Sequence, residues 1–96
     1  MAKNVKIMTY KVKNLNGTTD RLPYGYASWL DFWEKKTNQK ATECHAIDCK
    51  AKRDLVGAHV KKVGSSDNSW YIVPLCSGCN QRTDEFTVEG PLVPVN

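Results

Sequence analysis

The stretch Pro74-Leu75-Cys76-Ser77-Gly78-Cys79-Asn80 decides how this chain folds, because two cysteines flanking a short glycine-containing turn form a metal-binding knuckle. Cys76 and Cys79 can both reach one ion over so short a span, and Gly78 tolerates the positive φ that a tight turn can demand. A helix opening near Cys79 favours its thiolate through the positive end of the backbone dipoles. Upstream, Cys44 and Cys49 make a looser corner with four residues between them, and the chain holds no other cysteine. Four sulfur ligands complete a tetrahedral Zn2+ and leave no open coordination position. The expectation is one structural zinc held by Cys44, Cys49, Cys76 and Cys79.

Working outward from the knuckle, 55–62 reads as a strand, 64–68 as a turn and 70–73 as the returning strand. A short polar helix is expected from Asn80 to Phe86. A knuckle, a hairpin and a second knuckle opening a helix follow one another in the treble-clef order, so 44–86 reads as a zinc treble-clef core. Two other readings compete with this one. A Cys-x-x-Cys before a helix also serves redox chemistry, but that chemistry comes with a βαβ pattern missing here, and it leaves the first pair unexplained. Two disulfides would need an oxidising compartment. His45, beside Cys44, offers a nitrogen that could replace one sulfur.

The rest of the chain supplies a small shell for that core. Ninety-six residues make one domain, 1–96, and so short a chain gains from a structural metal. Residues 5–13 are β-prone and basic, with a phase shift at Ile7-Met8 that reads as a bulge, and Asn16-Gly17 marks a turn in a loop over 14–25. Residues 28–37 read as an amphipathic helix capped by Ser28, with Asp31 as a capping-box variant. Tyr26, Trp29, Leu30, Phe32 and Trp33 share one arc of it, which reads as core rather than as a base-stacking platform. The tail, 87–96, carries Pro91 and Pro94 and can form at most an edge strand. The fold class expected is therefore α+β: an N-terminal strand, one amphipathic helix and a zinc core.

Charge is unevenly spread. Residues 1–62 carry thirteen Lys or Arg against six Asp or Glu, whereas 63–96 carry Arg82 against Asp67, Asp84, Glu85 and Glu89. A basic half suits phosphate, although a solvated lysine surface has the same composition. No signal-peptide pattern and no bilayer-length apolar run occur, so a cytoplasmic protein without membrane contact is expected.

The run from Cys44 to Asn80 resembles the HNH nuclease superfamily in its zinc-bearing form, through the first cysteine pair, Gly57-Ala58-His59-Val60, the hairpin, and Leu75-Cys76-Ser77-Gly78-Cys79-Asn80. The chain is also similar to a group of short bacterial and phage-type HNH-like proteins. That likeness rests on Asn16-Gly17-Thr18-Thr19-Asp20-Arg21, Ser28-Trp29-Leu30-Asp31-Phe32-Trp33, Asp54-Leu55-Val56-Gly57-Ala58-His59-Val60 and Trp70-Tyr71-Ile72-Val73-Pro74-Leu75-Cys76. The resemblance implies a ββα cradle for a second cation, Mg2+ or Mn2+, with His59 as general base and Asn80 as a cation ligand. Arg53, Lys61 and Lys62 would contact phosphates. Two positions depart from the pattern: Ala58 stands where the family has an Asp or His ligand, and Tyr71 falls near the residue that orients the base. Asp54, Asp84 or Glu85 would have to supply further oxygens. Read without the resemblance, His59 is a packed hairpin histidine and Asn80 a polar residue of the first helical turn.

The function expected is an HNH-like protein that engages DNA or RNA, with at most weak or partner-completed endonuclease activity. The alternative is a non-enzymatic, zinc-stabilised protein-interaction module, an adaptor or inhibitor of phage type, whose acidic last third would face the partner.

Overall fold

In the computed structural model, which describes residues 8–15 and 22–95, the strands are β1 (Thr9–Asn14), β2 (Leu55–Lys62), β3 (Tyr71–Cys76), β4 (Glu85–Glu89) and β5 (Val93–Pro94). The helices are α1 (Trp29–Thr37) and α2 (Ser77–Asn80), the latter a single turn. All strand pairings are antiparallel, in the order β4-β1-β2-β3-β5. The bulge at Ile7-Met8, the Asn16-Gly17 turn and the first residues of the strand expected over 5–13 fall outside the described residues.

Alternation along the strands gives the sheet two different faces. Asn14 lies opposite Val60, Val12 opposite Phe86, and Ala58 opposite Val73, so these side chains share one face. Val12, Ala58, Val60, Val73, Leu75, Phe86 and Val88 pack there with Cys44, Ala46 and Cys79. Gly57, His59, Ile72 and Pro74 belong to the other face by the same register. α1 covers that face and buries Phe32 and Trp33 with Ile72 and Val93.

Local chemistry sets the limits of α1. The Ser28 hydroxyl accepts a hydrogen bond from the Asp31 amide at 3.0 Å, and the Asp31 carboxylate accepts one from the Ala27 amide at 3.1 Å. Asn38 ends the helix in the left-handed conformation (φ 57°). The Trp33 indole donates to the Pro91 carbonyl at 2.8 Å and so ties the helix to the segment that precedes β5.

The helix rests directly on the backbone of β2. A β-carbon at Gly57 would stand 2.4 Å from the Trp29 carbonyl carbon and 2.5 Å from the Leu30 nitrogen. Only glycine permits so close an approach.

One expectation for the C-terminal third is corrected. Residues 80–86 are not a helix, because α2 ends at Asn80 and the chain turns into β4. Glu85-Phe86-Thr87-Val88-Glu89 alternates, with Phe86 and Val88 buried, and that period of two suits pairing along β1. The edge strand that the sequence allows over 87–96 is present, as the end of β4 and as β5 at the two edges of the sheet.

The irregular segment around Ala46 joins β4 to the outer edge of β3. Ala46 bridges to Val88, and the Ile47 and Glu89 amides donate to the Thr87 and His45 carbonyls. The His45 amide donates to the Pro74 carbonyl at 2.9 Å. Segment 45–47 thus links β4 to the far half of β3 and curls the sheet around its sulfur-side core. Proline is tolerated within β3 because its ring nitrogen faces this outer edge rather than the β2 ladder. No helix among the described residues is long and apolar enough to cross a membrane.

Gly57→Ala is expected to destabilise the protein by about 1–3 kcal/mol through overpacking of α1 against β2. Urea denaturation measures this, and a change below about 0.5 kcal/mol would contradict the close approach.

Candidate metal centre

The four cysteine sulfurs lie within 4.8 Å of one another. The Cys49 and Cys76 sulfurs are 3.7 Å apart, against about 3.8 Å for two sulfurs of a tetrahedron at about 2.3 Å from zinc. The Cys79 amide donates to the Cys76 sulfur at 3.5 Å, which is how the α2 turn presents both thiols to one point. Cys44 and Cys79 are buried, Cys76 is partly buried and Cys49 is exposed.

The electrostatics of the cluster call for a cation. Burial pushes the Cys44 and Cys79 thiols up, and the neighbouring sulfurs push Cys79 up further. Burial also raises Cys76, but the Cys79 amide and the Cys49 side chain outweigh it and bring that thiol down. A divalent ion removes the mutual repulsion of four thiolates, and its preference for sulfur matches the donor set. The cluster is consistent with one structural zinc.

His45 is not among these ligands. Its Nδ1 lies 2.8 Å from the Glu89 carbonyl, which can only accept, so that nitrogen carries the hydrogen. The ring packs edge-on against Trp33 at 5.2 Å.

Two residues that sequence reasoning passed over support the centre. Asn14 donates from Nδ2 to the Cys79 carbonyl at 2.9 Å and to the Arg82 carbonyl at 3.0 Å, and so fastens the second knuckle to β1. Arg82 pairs with Asp84 and also with Asp48, which lies in the first cysteine loop, while its guanidinium sits 4.4 Å from the Phe86 ring centre. Asp84 first and Asp48 next raise its pKa, so Arg82 is a permanent cation clipping the two cysteine segments together. Neither role carries a local sequence signal, because the partners are distant in the chain.

The residues singled out for catalysis do not converge. His59 is 3% exposed and belongs to the helix face, where its ring meets Trp29 edge-on at 4.7 Å and Trp70 at 6.2 Å. Its Nδ1 has no hydrogen-bond partner among the described residues. Asn80 closes the α2 turn, which Asn14 holds against the opposite face. The sheet therefore separates His59 from Asn80. Tyr71 also projects on the sulfur side, opposite Val60, and its hydroxyl donates to Asp67, holding that carboxyl down at about 2. Ala58 is fully buried in the sulfur-side core.

The remaining polar candidates are scattered. Lys61 is exposed, whereas Lys62 lies over the Tyr10 and Tyr71 rings and 3.9 Å from Asp67. Arg53 and Asp54 precede β2, at the strand end opposite Lys61, and the strand separates those ends by about 20 Å. Asp84 is taken by Arg82, and Glu85 lies opposite Lys13. Among the described residues no second group of three or more His, Cys, Asp or Glu ligands comes together. The chain matches no protein-family model, no curated protein and no solved structure.

Removing zinc with a chelator is expected to abolish cooperative thermal unfolding, because such a site contributes an apparent ~10–16 kcal/mol near neutral pH. Elemental analysis should find one zinc per chain, and a metal-free protein with an unchanged melt would contradict the assignment.

A second prediction concerns pH. Burial lowers the His59 pKa below 6.5. As pH falls, the unfolded chain binds this proton first, so the stability held above that ordinary value is lost on acidification. Between about pH 7.5 and about pH 5.5 the zinc-loaded wild type should lose more stability than His59→Phe. Protonation of the cysteines affects both proteins and cancels in the difference.

Proposed function

We propose that this protein is a zinc-stabilised module that binds nucleic acid through the lysines of its helix-side face and does not hydrolyse it. The observation that carries this reading is the pairing of Lys13 directly opposite Lys61, both exposed, on the part of that face α1 leaves open. Like charges facing each other across a ladder cost stability. Neither makes an ion pair within 4.0 Å among the described residues, although Glu85 flanks Lys13 from β4. Lys11, two residues along β1, extends the strip.

The distribution of carboxylates supports the same reading over an acidic protein-binding face. In the last third, Asp67 is engaged by Tyr71 and Lys62, Asp84 by Arg82, and Glu89 by Lys50. Those three charges are neutralised within the fold, while the fourth, Glu85, flanks the lysine strip at Lys13. The resemblance to HNH proteins points to the same class of partner. Hydrolysis is not expected, because a buried imidazole on the sheet face opposite Asn80 is poorly suited to activate water beside a cation.

Fluorescence anisotropy with labelled DNA and RNA across a salt series tests the reading. Lys13→Gln and Lys61→Gln should each weaken binding at every sequence and reduce the slope of log K against log salt by about 0.7–0.9. No cleavage is expected with Mg2+ or Mn2+. Salt-insensitive or undetectable binding would sink the proposal, as would cleavage that disappears in His59→Ala.

A further inference from the structure

The lysine strip does not end at β2. Tyr71 pairs with Val60, so continuing the ladder by one residue sets Trp70 beside Lys61. The ring contact between Trp70 and His59 puts the indole on the helix-side face, the face of Lys61 and Lys13. One row across β4, β1 and β2 to the residue just before β3 therefore runs Glu85, Lys13, Lys61, Trp70. Neighbouring strands lie about 4.8 Å apart across the sheet.

Trp70 is 44% exposed, an unusual state for the largest apolar side chain. It is nevertheless held in place. Its carbonyl accepts the Val95 amide at 3.0 Å, and one edge abuts the buried His59 ring with the two planes at 89°. A fixed indole offers a flat surface without a large loss of side-chain entropy on binding.

Polar grooves flank this row. One of about 510 Å3 is walled by Lys13, Lys61, Lys62, Ser65, Asn68 and the single carboxylate Glu85. Another of about 240 Å3 lies between Asn68, Ser69, Trp70 and Val95. The two meet at Asn68, so a path leads from the ammonium groups to the indole.

We infer that the nucleic acid bound here is single-stranded and that Trp70 stacks one of its bases, with Lys61 and Lys13 on the flanking phosphates. This rests on the binding reading above and adds the form of the partner. Paired bases in a duplex already have both faces covered by their neighbours, and only unpaired ones present a face to an aromatic side chain. A cationic strip ending in a fixed, half-exposed indole matches the backbone and one base of a single strand.

The test compares an oligothymidylate of about 12 nucleotides with a duplex of equal length, using zinc-loaded protein and anisotropy. The single strand should bind more tightly. Trp70→Ala should weaken it by about 5- to 150-fold with an unchanged salt slope, and Trp70→Phe should recover most of the affinity. Lys61→Gln should lower the salt slope on both probes. Zinc content verifies the fold of each variant. NMR of the wild type gives an independent readout, in which the Trp70 ring protons should move upfield with the oligothymidylate and stay put with the duplex. Equal losses on both probes, no loss in Trp70→Ala, or unmoved ring protons would overturn the stacking inference. A salt slope that still falls in Lys61→Gln would then leave the binding reading standing. A wild type that binds neither probe removes both.

Discussion

Four sulfurs gathered within 4.8 Å bring together two segments that only a few bridge hydrogen bonds otherwise join. Cys49 and Cys76 are 27 residues apart in the chain, and the loop bearing Cys44 and Cys49 has no regular secondary structure of its own. That loop still supplies Cys44 and Ala46 to the core and links the outer edges of β3 and β4. Ordering an irregular loop is costly in entropy, at about 1–2 kcal/mol per residue. A metal of this type offsets such a cost with an amount comparable to the whole net stability of a small domain. Arg82 and Asn14 reinforce the same junction with directional hydrogen bonds.

The three residues at the centre of β2 show how packing alone accounts for a suggestive motif. Gly57 is where the backbone of α1 meets the strand, and any β-carbon would collide with it. Ala58 faces the sulfur-side core and is fully buried. His59 fills the space between Trp29 and Trp70. Each residue answers a different steric demand, so the run Gly57-Ala58-His59 has a structural reason to exist whether or not chemistry follows. A buried ring nitrogen left without a partner costs about 1–3 kcal/mol, and none stands beside His59 Nδ1 among the described residues, while burial favours the neutral ring.

Charge is segregated by the same architecture. Three of the four carboxylates of the last third are drawn into internal pairs, Glu89 with Lys50 and Asp84 with Arg82 among them, while Glu85 lies opposite Lys13. The lysines of β1 and β2 that point to the helix side find little to neutralise them, because α1 covers the sheet only toward β3 and β5. The four-cysteine cluster, consistent with one structural zinc, sits on the other side. The cysteine side and the lysine side of the sheet are thus opposite faces of one scaffold.

Much of this was legible from local sequence. The cysteine spacing announces a sulfur site because ligand reach across a short turn is a local property. The amphipathic arc of α1, with Ser28 and Asp31 at its start, follows from helical periodicity and capping. β4 was harder, since its alternation spans only Glu85–Glu89 and its partner β1 lies near the other end of the chain. Tertiary structure alone decided which face each β2 residue takes relative to α2, and so whether His59 and Asn80 could meet. It alone brought Asn14 to the second knuckle and Trp70 into line with Lys61 and Lys13. The physical reason is that sequence specifies the period of a strand, whereas the side on which a distant turn or helix packs depends on the register of the assembled sheet.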